Sequence, residues 1–375
     1  MPRKNGSDSC GQLGQLLTVG FDGTEMSPRL FDLLTRIQPA GVILFARNIV
    51  SAQQTHKLLK DCQSCVREPL FTCVDLEGGK VDRFRSITGP APAAADVFSS
   101  GNPRFYQKHG ELIGKSCRAM GFNVDFAPVL DLALEASSNV MSSRSVSDNP
   151  KEVVAYARAF LEGLNSAGVI GAGKHFPGLG EGNLDSHHDL PVIEKSLRRL
   201  WEEDLVPYRV MKNELPMVLI SHANYRDVTR DKVPASLSRK WITDILQKKI
   251  GYRGLVVSDD LEMGGVLKSA SIDEAAVDFI CAGGDLCLIC HQQEFVEKAF
   301  ETLQRTHSRD ARFRRRVQQA TRRIAAFKRK HATVFKFPAA PSQQKVEALA
   351  RQLWEFSEQV RLQRLVLEAR AGAGA

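Results

Sequence analysis

The sequence predicts an α/β protein: a single (β/α)8 TIM-type barrel with extra helices at its C-terminal end. Three observations carry that expectation. Short apolar runs alternate with segments of helical periodicity, giving eight such units in roughly 290 residues. The runs are continuously apolar, as strands of a parallel sheet covered on both faces must be. No G-x-G-x-x-G follows the first run, which counts against an open dinucleotide-binding sheet.

After a polar tail over residues 1–13, the first strand is LLTVGF (16–21), ending at Asp22-Gly23. Leu30, Leu33, Leu34 and Ile37 then have the spacing of a helix over 28–37. GVILF (41–45) and FTCV (71–74) are the next strands, with a helix through Leu58, Leu59 and Cys62 between them. A Pro/Ala/Gly-rich loop at 89–95 leads into a helix over 103–120. NVDFA (123–127) is the fourth strand, followed by a long loop over 128–148 and a helix that opens on Pro150. Residues 169–173 form the fifth strand. The segment after it, GKHFPGLGEGNLDSHHDLP (173–191), is punctuated by glycine and proline and reads as a long loop. A helix over 196–213, strand 217–221, helix 237–250, strand 254–258, helix 272–281, strand 285–290 and helix 293–306 complete the alternation. The barrel is thus expected to occupy 14–332, followed by a linker at 333–343 and an amphipathic helix over 344–370. That last helix places Leu349, Leu353, Phe356, Val360 and Leu367 on one side, for packing on the barrel.

Hydrophobic content of 43% and charged content of 25% are those of a soluble globular chain. The formal charge of 51 − 43 = +8 raises the question of a nucleic-acid partner. Much of the excess lies in 305–330, as the wet face of a helix over Val317, Ile324, Ala325 and Phe327. No zinc finger, helix-turn-helix or aromatic-interleaved basic strand accompanies it, so nucleic acid is not an expected partner. Two C-x-x-C pairs, Cys62/Cys65 and Cys287/Cys290, stand far apart, one on a helix and one in a strand. They predict neither a disulfide framework nor a zinc site. Free thiols point to a reducing, cytoplasmic setting. The first fifteen residues lack the apolar stretch of a secretory signal, and no run is long enough to span a membrane. A monomer is expected.

In a barrel the chemistry falls where strands end. Those positions carry Asp22, Arg47, Asp75, Asp131, Lys174-His175, His222, Asp259-Asp260 and His291. His175, His187, His188 and His222 could bind a metal with Asp75 or Asp259, but the His-x-His that barrel metallohydrolases carry after the first strand is missing. Carboxylates with an arginine and a lysine, and no phosphate-cradling glycine loop, suit a polyhydroxylated ligand: acids accept from sugar hydroxyls and cations donate to them.

Those residues lie in segments that resemble glycoside hydrolase family 3, in particular its single-domain bacterial β-N-acetylhexosaminidases of peptidoglycan recycling. The segments are GVILFARN (41–48), VDLEGGKVDRFR (74–85), GFNVDFAPVLD (121–131), SRS (143–145), KHFPGLGEGNLDSHHDLP (174–191), SHANY (221–225), PASLS (234–238) and GYRGLVVSDDLEM (251–263). The resemblance implies a retaining exo-glycosidase that releases terminal β-N-acetylglucosamine from muropeptides, without metal or organic cofactor. By the same resemblance Asp259 is the nucleophile, and His187 is the acid/base with Asp185 as its dyad partner. Asp75, Arg83, Arg144, Lys174 and His175 hold the sugar, with His222 and Asp131 as further candidates. Asp125 is expected to orient loops, Asp260 to act as a hydrogen-bonding scaffold, and His188 and Asp189 to support their loop. A histidine acid avoids like-charge repulsion with an anionic nucleophile and starts from a pKa near 6.5.

Two departures stand out. SRS continues with Val146-Ser147 where the family tends to have Phe-Gly, and Glu262 replaces a small residue. The rival expectations are a β-glucosidase or a phosphorylase of the same family, and a non-catalytic sugar- or nucleic-acid-binding barrel.

Overall fold

The computed structural model describes residues 12–135, 141–181 and 190–373. Eight parallel strands close into a barrel: β1 (Leu17–Val19), β2 (Gly41–Ile43), β3 (Phe71–Val74), β4 (Val124–Asp125), β5 (Ile170–Phe176), β6 (Met217–Ile220), β7 (Leu255–Asp260) and β8 (Leu286–Ile289), which pairs back onto β1. Each strand falls on one of the apolar runs. Register is fixed by pairs such as Val19↔Val42, Val74↔Asp125 and Val19↔Ile289. The fold is the predicted (β/α)8 barrel.

Two strands run further than their apolar pattern. β5 continues through Lys174, His175 and Phe176, so the first three residues after Gly173 belong to the sheet and not to a loop. The Leu130 N–H donates to the Lys174 carbonyl at 2.6 Å and the Ser221 N–H to the Phe176 carbonyl at 2.8 Å, extending the pairing on both sides. β7 likewise continues to Asp260, which pairs with Leu288 across an irregular register. Charged side chains placed on strands by backbone hydrogen bonds leave no trace in hydrophobic periodicity.

The helices follow their caps. α1 (Pro28–Ile37) starts where the Ser27 hydroxyl accepts the Leu30 N–H, and ends at Gln38 in the left-handed region. The single helix expected over 196–213 is two: α5 (Leu197–Glu202) and α6 (Val206–Val210). Pro207 can sit at the start of the second but cannot continue the first. Residues Lys240–Ile250 form a π-helix that stops at Gly251. The basic stretch forms α9 (Ala311–Lys330), separated from α8 (Gln293–Arg309) by Asp310, whose carboxylate caps it. Its buried stripe is Phe313, Val317, Ala320 and Ile324, continued by Lys328. Ala325 is exposed, contrary to the sequence reading, because it lies one position beyond that stripe.

The last helix, α10 (Gln343–Ala373), buries Val346, Leu349, Leu353, Phe356 and Val360. Phe356 meets Phe105 edge-on at 5.5 Å. Leu367 is more than one-third exposed, so the apolar contact fades toward that helix's end. The described cysteines are all free thiols, and among the described residues no helix is long and apolar enough to cross a membrane.

Candidate active site

The overrun of β5 and β7 delivers charged groups to the C-terminal mouth of the barrel. Lys174, on β5, is 3% exposed at its side chain and reaches Asp75 at 2.7 Å and Glu77 at 2.6 Å. Glu77 in turn receives both the Nε and an Nη of Arg144 at 2.8 Å, a bidentate pairing. Burial alone would keep the Glu77 carboxyl protonated, but Arg144 and Lys174 hold its pKa far below the usual glutamate range. Glu77 is therefore the anion on which two sugar-binding candidates are mounted. Arg144 comes from a short 3-10 turn, Ser142–Arg144, and lines the pocket.

His175 is the next residue on β5 and faces the same mouth. Its Nδ1 meets Asp131 at 2.6 Å, while the second Asp131 oxygen takes the Leu179 N–H at 2.7 Å. Asp131 thereby fixes both the imidazole and the chain leaving the strand. The Nε2 of His175 lies 3.3 Å from an Nη of Arg144. Asp131 serves His175 and does not line the pocket.

Two strands along, at the end of β7, Asp259 lines the same pocket. Burial would raise its pKa, yet His222, His175, the Asp260 N–H at 2.9 Å and Lys174 together hold it below the ordinary aspartate value. His222 itself is buried and works from behind. Its Nδ1 bonds the Ser236 hydroxyl at 2.7 Å and its Nε2 the Asp260 carbonyl at 2.8 Å. Burial pushes its pKa down, and its Nε2, donating to the Asp260 carbonyl, braces the strand end that carries the two aspartates. Asp260 accepts the Glu262 and Cys290 N–H groups and pairs with His291, whose ring stacks on Phe45 at 5.3 Å. Glu262, the second departure, takes the N–H groups of His291 and Gln292 and so ties two strand ends together.

Arg83 completes the pocket wall, its guanidinium 5.6 Å from the Phe45 ring centre and its Nε buried without a hydrogen-bond partner. Asp125 is wholly buried and accepts the Leu76 N–H at 2.9 Å, which fixes the segment between Asp75 and Glu77. Of the sequence-predicted residues, Asp75, Arg83, Arg144, Lys174, His175 and Asp259 converge on one pocket, while Asp131 and His222 stand behind it. Asp185, His187, His188 and Asp189 lie outside the described residues. Among the described residues, no group of three His, Cys, Asp or Glu side chains is arranged to hold a metal ion.

Residues 10–326 match the N-terminal domain of glycosyl hydrolase family 3. The chain belongs to that family. A Beta-hexosaminidase of Bordetella avium (strain 197N) is 36% identical over 283 residues, covering 73% of this chain and 80% of that protein. A Beta-hexosaminidase of Stenotrophomonas maltophilia (strain K279a) is 32% identical over 296 residues, covering 77% and 87%. Among solved structures, a glycoside hydrolase family 3 beta-N-acetylglucosaminidase from Paenibacillus sp. str. FPU-7 is similar with a TM-score of 0.85 at 30% identity, over 93% of this chain and 68% of that one.

For this family 3 hydrolase the sequence reading missed Glu77. The signal was present: Asp75 and Glu77 are two apart in an extended segment, and so share a face. It also missed the stacking of His291 on Phe45, which joins strand ends that are remote in sequence.

Proposed function

We propose that this chain is a retaining exo-β-N-acetylglucosaminidase that removes a terminal β-linked N-acetylglucosamine from muropeptides and related cell-wall fragments in the cytoplasm. The observation that carries the reading is an aspartate favoured as the anion, Asp259, facing a lysine–arginine–carboxylate cluster suited to sugar hydroxyls. The substrate class rests on the motifs that resemble the peptidoglycan-recycling members of the family, and the compartment on the free thiols.

In this reading Asp75, Lys174, Arg144, His175 and Arg83 hydrogen-bond the terminal sugar and hold its anomeric carbon against Asp259. The Asp259 carboxylate forms the glycosyl–enzyme bond as the glycosidic C–O bond breaks. His187 gives its proton to the departing oxygen, with Asp185 fixing the imidazole. Water then attacks the glycosyl-enzyme, His187 takes its proton, and Asp259 leaves with overall retention at the anomeric carbon. A pKa below the ordinary aspartate value keeps Asp259 ionised throughout the neutral range.

The test is hydrolysis of 4-nitrophenyl β-N-acetylglucosaminide and β-glucoside, with and without phosphate, by wild type and Asp259→Ala. The expected result is release from the N-acetylglucosaminide independent of phosphate, and a kcat lowered about 10⁴-fold in the variant. Absence of activity on both glycosides overturns the enzyme reading. Undiminished activity in Asp259→Ala removes the nucleophile assignment.

A further inference from the structure

The pocket that Asp259 lines reaches into the barrel among Phe126, Leu219 and Leu288. A packed barrel interior leaves such a pocket no exit except its mouth. Once a terminal sugar fills it, the rest of the substrate has to lie across the rim. His291 stands on that rim, just beyond β8. Among the described residues it alone lines both this pocket and a neighbouring depression of about 300 Å³, whose other walls are Asp22, Ser27, Arg29, Gln292, Gln293 and Glu294. Every one of those side chains can hydrogen-bond, and none is apolar.

The His291 side chain is 49% exposed, so burial does little to hold it, yet three contacts fix its place. Its ring stacks on Phe45 at 5.3 Å with 27° between the planes, and its Nε2 lies 3.2 Å from Asp260. Its backbone N–H donates to Glu262 at 2.6 Å, and Glu262 is the residue that departs from the family pattern. Arg47 fastens the same corner. Its guanidinium lies 4.8 Å from the Phe45 ring centre, its Nε is 2.9 Å from Asp22, and an Nη donates to the Cys290 carbonyl at 2.6 Å. One arginine thus joins a wall of the depression to the residue before His291. The Nδ1 of His291 has no hydrogen-bond partner among the described residues, so the held ring keeps one polar atom for a ligand.

We propose that His291 and the depression beside it form the subsite for the leaving group, and that the group they take is a second pyranoside ring. That ring lies against the imidazole, with its hydroxyl and amide groups hydrogen-bonding His291 Nδ1 and Gln293. The inference rests on the reading of the chain as an exo-glycosidase. Contacts made here act only on substrates that extend beyond the terminal sugar.

The experiment measures kcat/KM for N,N′-diacetylchitobiose and for β-N-acetylglucosaminyl fluoride in wild type, His291→Ala and Gln293→Ala. Both substrates place the same sugar in the pocket, but fluoride is a single atom and leaves the rim empty. The quantity read is the ratio of the two constants, from which damage common to both substrates cancels. Gln293 lines the depression and not the pocket, so Gln293→Ala reports even where His291→Ala fails to fold. The disaccharide-to-fluoride ratio is expected to fall about tenfold in His291→Ala and about threefold in Gln293→Ala. A ratio that stays at the wild-type value in either variant overturns the subsite. Wild type inactive on both substrates fails the glycosidase reading itself, whereas wild type active on both with unmoved ratios removes the subsite alone.

Discussion

Glu77 is the residue on which the side of the pocket proposed to hold the sugar depends, since Lys174 and Arg144 both end on its carboxylate. Replacing it by glutamine leaves two buried cations short of a counter-charge. Glu77→Gln is expected to lose about 3 kcal/mol at neutral pH, as broken buried ion pairs do. The pH dependence has a definite sign. The folded-state pKa lies below the ordinary value of 4.5, so the stability from ionised Glu77 is present above 4.5 and drains away as the pH falls below it. Urea denaturation at about pH 7 and about pH 3 should therefore show a gap between wild type and variant that narrows on acidification. A constant gap would mean that the charge of Glu77 is not what it contributes. At this scale the sequence was informative for groups at the ends of apolar runs, such as Asp75 and Asp259. It was silent on Glu77, whose two cations, Arg144 and Lys174, come from different segments and meet only in the folded chain.

Among the elements, α9 illustrates how a helix can mislead by composition and still be correct by spacing. Its run of arginines suggests a wholly wet surface, yet position 328 is four beyond Ile324 and falls on the buried stripe. Burial pushes the Lys328 ammonium down to about 7, and its nitrogen donates to the Gln15 side-chain oxygen at 3.0 Å and the Ala40 carbonyl at 3.2 Å. Two acceptors suit the two N–H groups of a neutral amine. Between about 7 and the ordinary 10.5, the unfolded chain holds a proton that the folded chain does not. Stability should thus rise with pH across that window, by about 1.4 kcal/mol per unit of pKa separation, with the cost fully present below it. Lys328→Met should remove this slope, and thermal melting across that window would show it. Parallel curves for wild type and variant would mean that Lys328 stays charged. The other elements were legible wherever caps and periodicity agreed, as in α1. They were not where a proline divided one pattern into α5 and α6.

For the molecule as a whole, eight apolar runs were enough to anticipate a closed barrel, because a covered parallel sheet needs continuous burial on both faces. What the pattern could not supply was the reach of β5 and β7 beyond the apolar residues. That reach has a consequence for how the protein fails on heating. Lys174, His175 and Asp259 are stitched into the same hydrogen-bonded wall as the core, so the proposed grip on the sugar has no independent melting event available to it. Amides of 174–176 and 258–260 should exchange with deuterium as slowly as those of the neighbouring barrel strands. Binding of an N-acetylglucosamine analogue should persist until the barrel itself opens. Fast exchange at those six amides, or loss of ligand well below the unfolding transition, would contradict it. A pocket built this way wears out all at once, with the scaffold, and never ahead of it.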